Sequence, residues 1–314
     1  MLRIIERISD ELNIPIEAIK AAIHSASTKH RKICIPKKSG GTRIALQPSV
    51  ELKPILLWVK INLLDLLPVH AIATGFRKNT SILHNANAHK DSLYSVRIDI
   101  ENFFNSIRSC DIAHTLHQNK NLLPEWAINQ KIDFLIQKSC FDQQDRLPIG
   151  YLTSPVIANA VMFKIDGGLQ DLISDQAKFG QSKLTRYADD FLFSTDKRGA
   201  CHHFAREMER ILEISDAPKL KVNTKKTKFM SRGGGSTLIT GLRVNNIGGV
   251  VVHPKYRDHI RLLLKLYKKE QLKKSEIPQL IGHLAHIQNV DPGFFTKLSF
   301  KYHEEISKIR SQSL

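Results

Sequence analysis

Apolar positions along the chain follow two periods. Ile4, Ile5, Ile8 and Leu12 recur at helical spacing, and Asn13 ahead of Pro15 can cap a second helix carrying Ile16, Ile19 and Ile23. Leu52, Ile55, Leu56, Val59, Leu63 and Leu66 put one apolar stripe on a helix over 51–67, which Pro68 ends. Similar stripes predict helices over 81–89, 111–118, 125–140, 156–172 and 201–214, then three more over 256–272, 277–289 and 294–309. Elsewhere short β-propensity runs replace helical spacing. Ile33-Cys34-Ile35-Pro36 and Arg43-Ile44-Ala45-Leu46 flank a basic, glycine-containing loop and predict a hairpin. Tyr94 to Ile100, the pair Leu184-Thr185-Arg186 and Phe191-Leu192-Phe193, Leu220 to Val222, Phe229-Met230, and the pair Leu238 to Val244 and Gly249 to Val252 read as further strands, with Gly233-Gly234-Gly235 as a flexible joint. This order predicts an α+β core followed by a separate helical subdomain.

Composition adds a partner class. The chain has 314 residues, of which 42% are hydrophobic and 25% charged, enough for two or three subdomains with sizeable cores. Against 47 Lys and Arg stand 30 Asp and Glu, a net +17, which points to a polyanion such as nucleic acid. The excess is concentrated: Lys29, Arg31, Lys32, Lys37, Lys38 and Arg43 form one acid-free stretch, and Lys219, Lys221, Lys225, Lys226, Lys228 and Arg232 form another. Cys34, Cys110, Cys140 and Cys201 lie far apart and suggest neither a zinc knuckle nor a disulfide framework, so buried free thiols are expected. The amphipathic start lacks the apolar core of a secretory signal and no apolar run is long enough to cross a bilayer, so a cytoplasmic protein without a membrane partner is expected.

The candidate chemistry is acidic. Tyr187-Ala188-Asp189-Asp190 places two carboxylates in a tight bend between two short strands. Asp is a common turn residue, and such a tip is unremarkable alone. Asp99, near the end of the Tyr94 to Ile100 run, changes that. Two strands side by side would bring Asp99, Asp189 and Asp190 to one point, a hard oxygen site suited to Mg²⁺ or Mn²⁺. Two such ions would activate an attacking sugar hydroxyl and stabilise a leaving pyrophosphate oxygen. The Lys37-Lys38-Ser39-Gly40-Gly41-Thr42 loop could contact phosphate or be a solvated turn, and the Gly150 to Pro155 segment opening a helix could approach nucleic acid or be a plain loop.

In order and spacing these segments resemble the bacterial retron reverse transcriptases over most of the chain. The resemblance rests on the Asp99 strand with Phe103-Phe104, the Leu147 to Pro155 loop, the Tyr187-Ala188-Asp189-Asp190 hairpin and Lys225-Lys226-Thr227. Asn85-Ala86-Asn87-Ala88-His89 fits the retron pattern Asn-Ala-x-x-His, and Ile239-Thr240-Gly241 resembles that group's Val-Thr-Gly. It implies a right-hand polymerase fold: an N-terminal helical segment over 1–30, fingers over 31–95 and 121–150, a palm of antiparallel sheet plus helices over 96–120 and 151–248, and a C-terminal α-helical thumb over 249–314. Asp99, Asp189 and Asp190 would hold two Mg²⁺ ions, or Mn²⁺, with the Ile100 carbonyl as a backbone ligand. Phe104, five residues after Asp99, takes the place of the aromatic gate against a ribose 2′-hydroxyl, a packed core aromatic being the alternative. Lys37, Lys38 and Arg43 lie where finger residues grasp the dNTP triphosphate, and Arg43 is favoured because a guanidinium binds phosphate bidentately. Lys226, or Lys225 beside it, matches a position near the leaving pyrophosphate.

The implied activity is RNA-directed DNA synthesis on a cognate structured non-coding RNA, primed from a guanosine 2′-OH and giving a branched RNA–DNA product (msDNA), with an effector protein encoded nearby and a role in anti-phage defence. Tyr256, Tyr267, Phe300 and Gly282-His283-Leu284 would belong to the thumb, with plain helix packing the favoured reading of the aromatics. One departure stands out. Ile149, Tyr151 and Leu152 replace the family's Gln, Ala and Pro, while Gly150 remains among the nucleotide-side residues, so Tyr151 is expected to crowd or stack near the nucleotide. The alternatives are another bacterial reverse transcriptase, of group II intron or diversity-generating type, and a non-catalytic RNA-binding scaffold. The short chain, with no maturase or endonuclease region after the thumb, weighs against the intron type.

Overall fold

A computed structural model describes residues 2–36, 40–245 and 248–311. Two compact units emerge, one of Met1–Lys78 with Val96–Phe229 and one of Asn79–Ser95 with Met230–Leu314. In the first, β1 (His30–Pro36) and β2 (Thr42–Pro48) pair antiparallel, with Ile33 opposite Ala45 and Ile35 opposite Arg43. Ile33 and Ile35 on one face and Ile44 on the other stay 40%, 45% and 53% exposed, so much of this hairpin faces solvent even though Ala45 is buried. Cys34 is exposed for that reason, and Cys110 is exposed at the start of the helix Ser109–Gln118. The expectation of buried thiols holds only for Cys140 and Cys201.

Strands β3 (Tyr94–Asp99), β4 (Ser182–Tyr187), β5 (Asp190–Thr195) and β6 (Lys228–Ser231) form a sheet in the order β4-β5-β3-β6. Side chains alternate across it. Val96 and Ile98 of β3 and Phe191 and Phe193 of β5 are buried, and Phe193 stacks at 4.3 Å and 9° on Phe204 of the helix Ala200–Ile214. That leaves Arg97 and Asp99 of β3 and Asp190 of β5 on the opposite side. The strand expected over 220–222 is reduced to a single bridge between Val222 and Ile100. Helices expected over 51–67, 125–140 and 156–172 each break once, giving Leu52–Asn62 with a tighter turn Leu64–Leu66, Glu125–Ile128 with Ile132–Cys140, and Ser154–Val161 with Phe163–Leu172.

In the second unit, β7 (Thr237–Ile239), β8 (Leu242–Val244) and β9 (Val250–Val252) make an antiparallel sheet, and Thr240-Gly241 turns between the first two. Its C-terminal part is helical, as expected. Where three helices are predicted there are four, because the last divides at Tyr302 (φ −127°, ψ 40°) into Pro292–Lys301 and His303–Ser311 around a buried ring. Asp291 caps the first of these pieces through Phe294 N and accepts 2.6 Å from Arg257 Nη2, tying two helices together. The glycine joint is a short turn, Arg232–Gly234, anchored by Arg232 N donating to Leu93 O at 2.8 Å. Among the described residues no helix is long and apolar enough to cross a membrane.

Candidate active site

Tyr187 and Asp190 are the last pair of the β4–β5 ladder, so Ala188 and Asp189 form a two-residue turn. Ala188 takes φ +58°, a geometry that favours glycine in tight hairpins. The turn is held from below. Arg186, fully buried, donates from Nε and Nη2 to Asp166 at 2.8 and 2.6 Å, and from Nη1 to Asn159 Oδ1 at 3.1 Å and to Ala188 O at 3.3 Å. Burial lifts the Asp166 carboxyl above its ordinary range, against the pull of Arg186. From the side, Ile100 N donates to Asp189 O at 2.9 Å and sets the turn beside the end of β3. Glu101 N to Lys221 O (2.9 Å) and Asn223 N to Asp99 O (2.8 Å) lay the following basic segment along the same end.

Asp99, Asp189 and Asp190 therefore lie near enough for the charge of Asp99 to reach both of the others. Burial is the main cause raising the carboxyls of Asp189 and Asp190 above the usual range, and the charge of Asp99 adds to both. Cations oppose it. Lys226 Nζ lies 2.9 and 3.2 Å from the two Asp99 oxygens, with Asn223 Nδ2 at 3.2 Å from one of them. Arg97 Nε donates to Asp190 Oδ1 at 2.7 Å. Arg43 is close enough for its charge to pull Asp189 down. Burial works against the Arg97 charge, but the bond to Asp190 and the field of all three carboxylates outweigh it and hold the guanidinium above its usual value.

The donor chemistry fits a hard divalent cation, being all carboxylate oxygen. Among the described residues, however, no group of three His, Cys, Asp or Glu side chains is drawn together closely enough to hold an ion. Asp99 and Asp190 instead hold Lys226 and Arg97. An incoming ion would have to exchange with these side chains.

Residues 35–282 match the sequence profile of the reverse transcriptase (RNA-dependent DNA polymerase) family. The chain is 36% identical over 288 residues to the retron Ec73 reverse transcriptase of Escherichia coli, covering 90% of this chain and 89% of that protein. It belongs to the bacterial retron reverse transcriptases. Its identity to the retron Mx162 reverse transcriptase of Myxococcus xanthus is 32% over 281 residues, covering 82% of this chain and 57% of that longer protein. The structure of telomerase from Candida albicans with the TWJ fragment of telomeric RNA matches with a TM-score of 0.52 at 11% identity, over 89% of this chain and 59% of that one, which bears on the fold alone. The retron enzyme accordingly has a right-hand polymerase fold, with palm and fingers and a helical C-terminal region.

Other expected residues of the reverse transcriptase fall in varied places. Lys37 and Lys38 lie outside the described residues. Phe104 is half-buried in the short helix Phe103–Ser106, against Phe103 and Phe76. Gly150, at φ +110°, sits where a Cβ would come 2.6 Å from Leu46 O, and Leu46 N donates to Ile149 O at 2.7 Å. This loop is thereby bound to β2. Tyr151 corrects an expectation: it is buried, with its hydroxyl donating to Ala26 O at 3.1 Å, so it anchors the loop to the N-terminal helices rather than crowding a nucleotide. The two retron-specific motifs meet, since Asn85 Nδ2 donates to Thr240 Oγ1 at 3.4 Å across 155 residues of sequence. Sequence reasoning missed Arg97, Asn223, Arg186 and Asp166. For Arg97 the signal was present, because a residue two before Asp99 on a strand shares its face.

Proposed function

We propose that this reverse transcriptase copies part of a cognate structured non-coding RNA into DNA, extending a guanosine 2′-OH to give branched RNA–DNA (msDNA). The observation that carries the reading is the meeting of Asp99 with the Asp189-Asp190 turn through the Ile100 N to Asp189 O bond. Asp99, Asp189 and Asp190, with the Ile100 carbonyl, would hold two Mg²⁺ ions, Mn²⁺ being the alternative. When bound, such ions activate the attacking hydroxyl and neutralise the leaving pyrophosphate. Arg43, with Lys37 and Lys38, grasps the triphosphate of the incoming dNTP; Lys226 exchanges Asp99 for the departing phosphate; Phe104 refuses a ribose 2′-hydroxyl; and the Gly150 backbone lines the nucleotide side of the loop.

In this reading the fingers take 31–95 and 121–150, the palm 96–120 and 151–248, and the thumb 249–314, after the helical segment 1–30. The protein works in the cytoplasm with its RNA, the RNA–DNA product and a separately encoded effector, in anti-phage defence. The test is extension of the transcript encoded beside the gene, with dNTPs and Mg²⁺. The expected product is DNA joined to RNA by a 2′,5′ bond that survives alkaline hydrolysis of the RNA. Asp99→Asn and Asp189→Asn should abolish it while RNA binding persists. Wild-type synthesis by either variant refutes the site, and a product lacking the branch refutes the priming mode.

A further inference from the structure

Phe76 has no assigned role, and its surroundings are unusual for a phenylalanine. The residue is 54% exposed, so burial in a core does not account for it. Its backbone sits at φ +58°, the left-handed region that bulky side chains rarely adopt and that glycine or asparagine fills readily in ordinary turns. An outlier of this kind persists where the surroundings over-determine it, and such places cluster at functional sites.

Here the surroundings are the support of the catalytic hairpin itself. Thr74 N and Gly75 N both donate to Arg186 O, at 2.8 and 3.4 Å, and Ala73 bridges to Arg186. Asn159 Nδ2 donates to Gly75 O at 3.0 Å, and Asn159 Oδ1 accepts from the same Arg186 that bonds Ala188 O. A Cβ on Gly75 would come 3.0 Å from Ala188 N and 3.2 Å from Tyr187 Cα, so the two segments run backbone against backbone. The chain leading into Phe76 is thus zipped to β4 and to the turn that carries Asp189.

The ring reaches two others. Its centroid lies 6.5 Å from that of Phe104, edge to face at 70°, and 6.0 Å from that of Tyr187, tilted at 38°. Phe104 also meets Phe103, edge to face at 5.3 Å and 69°, and Phe103 is buried. Phe104 is therefore in contact both with a buried ring, Phe103, and with an exposed one, Phe76. Edge-to-face pairs at these separations are favourable and directional.

We propose that Phe76 is a positioning residue for sugar selection, bracing the Phe104 ring so that the hairpin and the gate form one rigid wall against a nucleotide 2′-hydroxyl. This rests on the reading of Phe104 as that gate. A gate discriminates only as well as it resists displacement, because a ring free to swing yields to a small group such as a hydroxyl.

The test compares kcat/KM for dNTP and rNTP incorporation on a primed RNA template in five proteins beside the wild type: Phe104→Ala, Phe76→Gly, Phe76→Asn, Phe76→Tyr and the double variant Phe76→Gly with Phe104→Ala. Glycine and asparagine both accept the left-handed backbone, so these variants keep the fold. The expected result is a fall of about tenfold in the dNTP/rNTP preference for Phe76→Gly and Phe76→Asn, retention by Phe76→Tyr, and a double variant no less selective than Phe104→Ala alone. If Phe104→Ala relaxes selection while Phe76→Gly leaves the ratio unchanged, or if the two effects simply add, the bracing role is overturned. If Phe104→Ala itself leaves the ratio unchanged, the gate reading fails and the inference falls with it.

Discussion

The buried Asp166–Arg186 pair offers the sharpest test of how the Ala188-Asp189 turn is supported. Both side chains are fully inaccessible, and Arg186 makes four hydrogen bonds, two of them to Asp166. Asp166→Asn keeps the shape but leaves a guanidinium buried without a counter-charge, and guanidinium does not lose its proton. Breaking a buried pair this way costs about 3–5 kcal/mol. For a unit of this size each kcal/mol lowers the melting temperature by about 2–4 °C, so a loss of roughly 6–20 °C is expected. Arg186→Met leaves the opposite orphan, a carboxylate, and that can neutralise itself. Burial already raises the Asp166 carboxyl above its ordinary value, and removing Arg186 raises it further. The sign follows: with a folded-state value above the unfolded one, the cost of ionised Asp166 is present at high pH and is relieved as pH falls through the raised value. Melting measured downward from about pH 8, each variant against wild type, should show the Arg186→Met deficit narrowing as pH falls and no such narrowing for Asp166→Asn, which lacks the titrating carboxyl. A floor remains for Arg186→Met, since Ala188 O and Asn159 Oδ1 lose their donor at about 1–3 kcal/mol each. Equal slopes for the two variants would refute the claim that charge, rather than shape, governs this pair.

Three further outcomes follow from the same geometry. Tyr151→Phe should cost about 0.5–1.5 kcal/mol through the bond to Ala26 O and leave the KM for dNTP unchanged; a raised or lowered KM would return Tyr151 to the nucleotide. Gly150→Ala should destabilise by at least about 2 kcal/mol in chemical denaturation, combining left-handed strain at φ +110° with overlap at Leu46 O, and wild-type stability would count against the described loop. In the second unit, burial first, then His259 and His286, hold His283 below its ordinary value, its Nδ1 meets the Tyr256 hydroxyl at 2.7 Å, and its Nε2 is buried without a hydrogen-bond partner. Because the folded-state value is the lower one, stability should fall as pH drops below the ordinary histidine range, and His283→Gln should flatten that slope in melting curves; an unchanged slope assigns it to other groups.

How far the sequence could be read depended on the kind of constraint at each residue. The placement of Asp99 at the end of one strand and of Asp190 at the start of another was legible because strand propensity is a local signal. The position of Arg43 in a hairpin strand was legible for a similar reason. The helices were placed by periodicity, but their breaks at Leu63 and Tyr302 were not, since each depends on side chains packing from elsewhere. Tyr151 was misread because its direction is set by the N-terminal helices, more than a hundred residues earlier. Arg186 looked like a polar strand residue and proved fully buried, as its partner Asp166 lies within an apolar helical stretch. The Asn85–Thr240 contact could be anticipated only as two motifs, because nothing local says that they touch.

Ion pairs at two depths divide the work of this site. Asp166 and Arg186 are sealed, so separating them is expensive and the pair acts as a permanent strut beneath the turn. Lys226 and Arg97, by contrast, keep 56% and 39% of their side-chain surface exposed while pairing with Asp99 and Asp190. Exposed pairs are worth little and are readily exchanged. They relieve the repulsion among three converging carboxylates at small cost to any group that later competes for them. A fully buried partner for Asp99 would have stabilised the site and blocked it. Open pairs above a closed one give a hairpin that is rigid in its backbone and replaceable in its counter-ions, as the proposed binding of a divalent cation and a triphosphate at one place would require.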